Sequence, residues 1–184
     1  MIVATDGSIH YKAKKHKKDE QPPISAAWAY SAQLEDEHIE ASGEVKELGN
    51  IFVAELQAVI EALRRFPGDL EIICDHMTVV QGINKTWKSG VQRLWRMGEW
   101  SKHKHRPWHN HIKPPMWDEF ESLANGRTIK AINPNDQTKA LHRRAHNLAY
   151  GKGKRIAATK ATSKKKVAKK PLPALIESGI CFEY

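Results

Sequence analysis

The sequence predicts an α/β fold: a mixed five-stranded sheet, three antiparallel strands followed by parallel βα units, flanked by helices. Three observations predict it. Residues 2–45 contain three short strand-like runs separated by polar links. From residue 51 the hydrophobic period changes to that of a helix. Beyond Pro67-Gly68 compact apolar runs alternate with further helical patterns, the order expected of a sheet covered by helices.

Element by element, Ile2–Thr5 is a β-branched run, and Asp6-Gly7-Ser8 after it signals a turn. The Lys-rich stretch from His10 to Pro23 reads as a loop. Ile24–Ala32 and His38–Val45 read as strands joined through Glu35-Asp36-Glu37. Val53, Leu56, Val59, Ile60 and Leu63 fall at helical spacing, predicting a helix over 51–66 that Pro67-Gly68 ends. Leu70–Cys74 suits a buried strand, with Asp75 at its C-terminal end. Val79, Val80, Ile83 and Trp87 mark a second helix. Met116–Ala124 forms another, stopped by Asn125-Gly126. Thr128–Ile132 is a short strand, and Thr138–Tyr150 a last helix.

The chain's 184 residues suffice for one domain with a core, and its net charge of +9 favours a polyanionic partner. The charge is concentrated: residues 151–170 hold nine Lys and Arg and no acid. The expected organisation is a domain over 1–150, a basic disordered segment over 151–170 and a short apolar segment over 171–184. Two cysteines allow no framework of bridges. The N-terminus does not read as a signal peptide, and no run approaches the apolar length of a membrane span. A soluble cytoplasmic monomer without membrane contact is the expectation.

Asp6, Glu55 and Asp75 each interrupt an apolar element near its end, Glu55 lying off the helix's apolar stripe. In an open α/β sheet functional groups gather at strand ends, so the three acids can converge. Converging carboxylates repel one another unless a cation lies between them, and Mg²⁺ with its preference for oxygen ligands is the expected one. Two ions about 3.5–4 Å apart would serve both the attacking water and the leaving oxygen of a phosphodiester. On spacing alone, a helix cap or a solvated charge is the simpler reading of each acid.

Val3-Ala4-Thr5-Asp6-Gly7-Ser8 resembles the first-strand motif of type 1 ribonuclease H, in which T-D-G-S carries the first catalytic Asp. Val53-Ala54-Glu55-Leu56-Gln57-Ala58 resembles the helix around that family's catalytic Glu. Cys74-Asp75-His76 stands where the family has S-D-S or T-D-S, and Val80-Gln81-Gly82-Ile83 continues the match. The motifs agree in order and spacing over about residues 1–150. The resemblance implies the ribonuclease H-like fold and an endonuclease that cuts RNA paired with DNA, using Mg²⁺ or Mn²⁺ and leaving a 5′-phosphate. It further implies metal ligation by Asp6, Glu55 and Asp75.

The sequence departs from the family at the fourth acid, an Asp early in the last helix. The matching stretch is His142-Arg143-Arg144-Ala145-His146-Asn147-Leu148-Ala149, with His146 in the acid's place. The family's loop His, about ten residues earlier, is here Asp136. Three readings stay open: His146 is a neutral metal ligand favouring Mn²⁺, Asp136 reaches in from its loop, or three carboxylates suffice.

Nucleic-acid contacts implied at the site are Gly7, Ser8, Asn50 and His76. Asn50 stands where the family often has two Asn, and His76 replaces a Ser. Trp87–Trp117, rich in Trp, Lys, Arg and His, resembles the basic protrusion that grips the DNA strand. Trp100, Lys102, Lys104 and Arg106 are the contact candidates there, while Trp87 and Trp117 suit the core. His103, His105, His109 and His111 have the spacing of a zinc site, but the flanking cations oppose it. The basic tail is expected to attract phosphate non-specifically. Two other functions compete: a non-catalytic nucleic-acid binder on the same fold, and a nuclease of the resolvase type.

Overall fold

The computed structural model describes residues 1–11, 25–46, 51–86 and 114–168. Strands β1 (Ile2–His10), β2 (Ser25–Leu34) and β3 (Glu37–Glu44) precede helix α1 (Ile51–Arg65). Strand β4 (Leu70–Ile73), helices α2 (Met77–Ile83) and α3 (Pro114–Ala124), strand β5 (Ile129–Ile132) and helix α4 (Lys139–Ala168) follow. The five strands form one sheet in the order β3-β2-β1-β4-β5. β1, β2 and β3 pair antiparallel, whereas β4 runs parallel to both β1 and β5. This is the mixed sheet that the sequence predicts.

Alternation along β1 distributes its side chains between two helical layers. Val3 belongs to the larger apolar core with Phe52, Leu56, Val59 and Ile60 of α1 and Trp117 and Phe120 of α3. Ala4 packs on the other face, with Ile73 and with Ala145 of α4. Trp117 is buried, as its expected place in the core requires; Trp87 lies outside the described residues.

Two sequence expectations fail, both at glycines. No turn occurs at Asp6-Gly7-Ser8, and β1 continues to His10. Gly7 is there for close packing. A Cβ at this position would lie 2.5 Å from the Glu55 nitrogen and 2.6 Å from the Ala54 carbonyl carbon. Likewise α4 does not end at Tyr150 but runs through Gly151 and Gly153 to Ala168. Gly153 is buried against the His10 ring and the Ser8 hydroxyl, and its carbonyl accepts a hydrogen bond of 2.9 Å from Ser25 Oγ. The Ala- and Lys-rich composition beyond it favours helix, and Pro171 is the next residue that forbids one.

At the end of the sheet where β4 and β5 begin, Arg127 ties three connections together. Its guanidinium donates to the carbonyls of Gly68, Leu63, Leu123 and Phe66. Asn84, just after α2, is bonded both ways to Ala131 of β5, donating at 2.6 Å and accepting at 2.9 Å. These links fix the parallel strands whose opposite ends carry the functional groups.

Candidate metal centre

The pairing of β4 with β1 stops at Ala4 opposite Ile73. Two residues further along each chain stand Asp6 and Asp75, so the register itself sets the two acids side by side. β4 has ended by that point, which frees the edge of β1 and lets α1 approach. Glu55 enters there, accepting a hydrogen bond from the Gly7 backbone N–H, an approach that only a glycine permits.

Asp6 is 1 % and Glu55 3 % exposed, whereas the Asp75 side chain is 53 % exposed and forms the mouth of the site. Burial raises the Asp6 carboxyl from 3.8 to about 7, against the opposing pull of His146 and with help from the charge of Asp75. Burial also pushes Glu55 well above its ordinary value, and the charges of Asp6 and Asp75 push it further. Cys74, between strand and acid, points its thiol at Glu55 Oε2 at 3.8 Å. Burial, then the Glu55 charge, keeps that thiol protonated by raising its pKa.

Helix α4 brings two histidines to the same place. His146 Nδ1 lies 3.3 Å from Asp6 Oδ1, with its side chain 55 % exposed. His142, one turn earlier and so on the same helix face, is 9 % exposed. Its Nε2 lies 3.7 Å from Asp6 Oδ1 and 3.9 Å from Asp75 Oδ1. Burial lowers the pKa of His142, Asp75 working against that and His146 with it, so the neutral imidazole is favoured. Candidate ligand atoms of Asp6, Asp75 and His142 all lie within 4.8 Å of one another, as do those of Glu55, Cys74 and Asp75. Asp75 belongs to both groups.

The donors fit a divalent cation. Asp6 Oδ2 and His142 Nε2 are buried and find no hydrogen-bond partner among the described residues, a costly condition that a cation relieves. The structure therefore unites Asp6, Glu55 and Asp75, and adjoins His146 to Asp6. It adds His142 and Cys74, which the motifs alone do not single out. The sequence does carry a signal for each: His142 precedes His146 by four helical residues, and Cys74 adjoins Asp75.

Other expected site residues go elsewhere. Asp136 does not reach in; its side chain is 95 % exposed and pairs with Lys139 at 2.7 Å. Ser8 is buried, its hydroxyl donating to the Ala149 carbonyl at 2.7 Å, so it anchors α4. Gly7 lies at the site as the gap that admits Glu55. His76 caps α2 with its backbone, its ring 5.4 Å from that of Phe52. Burial lowers its pKa, favouring the neutral form. Asn50, Trp100, Lys102, Lys104, Arg106 and the His103–His111 pattern lie outside the described residues, as do the loop 12–24 and residues 169–184.

No family model and no curated protein matches the sequence. Solved structures match in shape. LC11-RNase H1, solved in complex with an RNA/DNA hybrid, superposes with a TM-score of 0.54 at 15% identity, over 84% of this chain and 96% of that one. The N-terminal RNase H domain of a Mycobacterium tuberculosis protein gives 0.56 at 15%, over 86% and 98%. RNase H1 from the archaeon Halobacterium salinarum gives 0.52 at 17%, over 81% and 93%. The chain has the ribonuclease H fold.

Proposed function

We propose that this chain is a metal-dependent endoribonuclease that cuts the RNA strand of RNA–DNA hybrids. The observation that carries the reading is the convergence of Asp6, Glu55 and Asp75, from β1, α1 and the end of β4, around buried and unpartnered donor atoms. Three repelling acids held in place by the fold are what a cation site requires and what a passive binding surface does not. Fold alone carries no function; the site does. Asp6, Glu55, Asp75 and a histidine of α4 would hold Mg²⁺ or Mn²⁺. Such ions, when bound, supply charge neutralisation and a lowered barrier for water to attack the phosphodiester.

The protein's own contribution is placement. Gly7 fixes Glu55 through its N–H. The exposed Asp75 meets the substrate side, while Asp6 and Glu55 sit behind it, withdrawn from solvent. In this reading Lys102, Lys104, Arg106 and the Lys-rich stretch after Gly151 contact the phosphate backbones, Trp100 covers a sugar or base face, and the ribose 2′-hydroxyl selects the RNA strand. A non-catalytic nucleic-acid binder is the second reading, favoured by the two histidines beside Asp6 where the resemblance calls for a fourth acid. The test is cleavage of an end-labelled RNA–DNA hybrid beside RNA–RNA and DNA–DNA duplexes, with Mg²⁺, Mn²⁺ or EDTA. Metal-dependent cutting of the hybrid's RNA alone, abolished in Asp6→Asn, is the expected result. Tight hybrid binding without cutting under either metal would establish the second reading.

A further inference from the structure

The two histidines of α4 are not equivalent. His146 is the nearer to Asp6, but its ring is more than half exposed. His142 is nine-tenths buried, and its Nε2 faces Asp6 Oδ1 and Asp75 Oδ1 at 3.7 and 3.9 Å. Those distances exceed a hydrogen bond, and the nitrogen has no other partner among the described residues. A buried imidazole nitrogen aimed between two carboxylates yet bonded to neither has the arrangement of a ligand. His146 Nδ1, at 3.3 Å from Asp6 Oδ1, is instead in reach of a hydrogen bond to the carboxylate.

We infer that His142 is a direct nitrogen ligand completing a metal site with Asp6 and Asp75, and that His146 is a positioning residue that holds Asp6 by an N–H donated to Oδ1. An imidazole in a carboxylate site shifts preference from Mg²⁺, which takes hard oxygen ligands, towards Mn²⁺ and the later divalent transition ions. The centre is therefore a mixed nitrogen–oxygen site that discriminates against Mg²⁺. The inference deepens the proposed nuclease site and rests on its being a metal site, but it does not rest on cleavage.

The test uses the full chain without nucleic acid. Mn²⁺ is added, its affinity is measured by calorimetry, and the bound ion is examined by pulsed electron paramagnetic resonance for coupling to a histidine ¹⁴N. The wild type is expected to bind Mn²⁺ at least tenfold more tightly than Mg²⁺ and to show ¹⁴N coupling. Loss of a partner one step removed from a metal costs about 10- to 100-fold in affinity, so loss of a ligand should cost at least as much. His142→Asn, which keeps most of the shape without the ring nitrogen, should lose the coupling and weaken Mn²⁺ by about tenfold or more. His146→Ala should keep the coupling. His142→Asp should recover Mg²⁺ binding. Bound Mn²⁺ without ¹⁴N coupling in the wild type, no Mn²⁺ binding at all, or coupling that survives His142→Asn overturns the assignment; the wild-type spectrum decides even if a variant fails to fold. If the coupling is present and no hybrid is cut, the nuclease reading falls while the ligand stands.

Discussion

Replacing Asp6 with Asn should make the metal-free protein more stable at pH 8, although it removes a central residue of the site. Asp6 is 1 % exposed, and burial raises its carboxyl from 3.8 to about 7. Below 3.8 the group is protonated in both folded and unfolded chains, and no ionisation penalty exists. As pH rises from 3.8 to about 7 the unfolded chain releases the proton that the folded chain still holds, so stability falls throughout that window. Above about 7 the loss is complete, and the gap between the two values corresponds to about 4 kcal/mol. An amide has no such proton to lose, so Asp6→Asn should recover stability of this order. Removing the Asp6 charge also eases Glu55, which burial and then Asp6 push in the same direction. Urea denaturation of both proteins between about pH 5 and 8 in EDTA measures the effect. The wild type should lose stability with rising pH, and the variant should show a flatter profile and overtake it. Added Mn²⁺ should restore the advantage to the wild type, because a ligand of the native state stabilises it by mass action. A variant less stable than the wild type at pH 8 in EDTA, or one with the same pH slope, would refute the account of Asp6 as a buried acid waiting for a cation.

Gly7→Ala should destabilise the fold by about 1–3 kcal/mol, because the new methyl meets backbone atoms of Ala54 and Glu55 at 2.5–2.6 Å; thermal melts and loss of Mn²⁺ binding report it together. Arg127→Met should cost about 2 kcal/mol or more in a denaturant titration, since four backbone carbonyls lose their donor at once. Deleting residues 151–184 should lower the melting temperature markedly. Deleting only 157–184 should leave it nearly unchanged, because Gly153 and its bond to Ser25 belong to the packed body; equal melts for the two truncations would place the anchor elsewhere.

Much of this architecture is legible in the amino-acid sequence. The five strands and their mixed pairing follow from period changes, whereas the trio Asp6, Glu55 and Asp75 stands out through the motifs that carry the resemblance, since acids that interrupt apolar elements are also readable as caps or solvated charges. The misreadings share a cause. Gly7 reads as backbone punctuation, a turn, and the composition shift after Tyr150 reads as the end of a helix, because sequence shows a glycine's freedom and not what presses against it. In the fold, Gly7 is a space for α1, and Gly153 is a space for His10. The spacing of α1 sets Glu55 off the apolar stripe and hence towards the surface. Yet Phe52 through Leu56 are all buried, and the stripe is wider than its most apolar members suggest. His142 escapes a motif comparison because the family's acid aligns with His146. Only the depth of α4 against β1 separates a buried imidazole from an exposed one, and depth is set by side chains far away in sequence. Nothing local in Asn133–Thr138 tells whether Asp136 reaches inward; in the fold its side chain is exposed, beside Lys139.

The pairing of β1 with α4 has a consequence for how the protein comes into being. Asp6 and His146 are separated by 140 residues. At a synthesis rate of about 5–20 residues per second, the first acid emerges on the order of ten seconds before its histidine exists. During that interval a nascent chain can pair β1, β2 and β3, but it holds carboxylates with no imidazole beside them. Metal-binding competence is thus reached only when α4, made long after β1, closes over it.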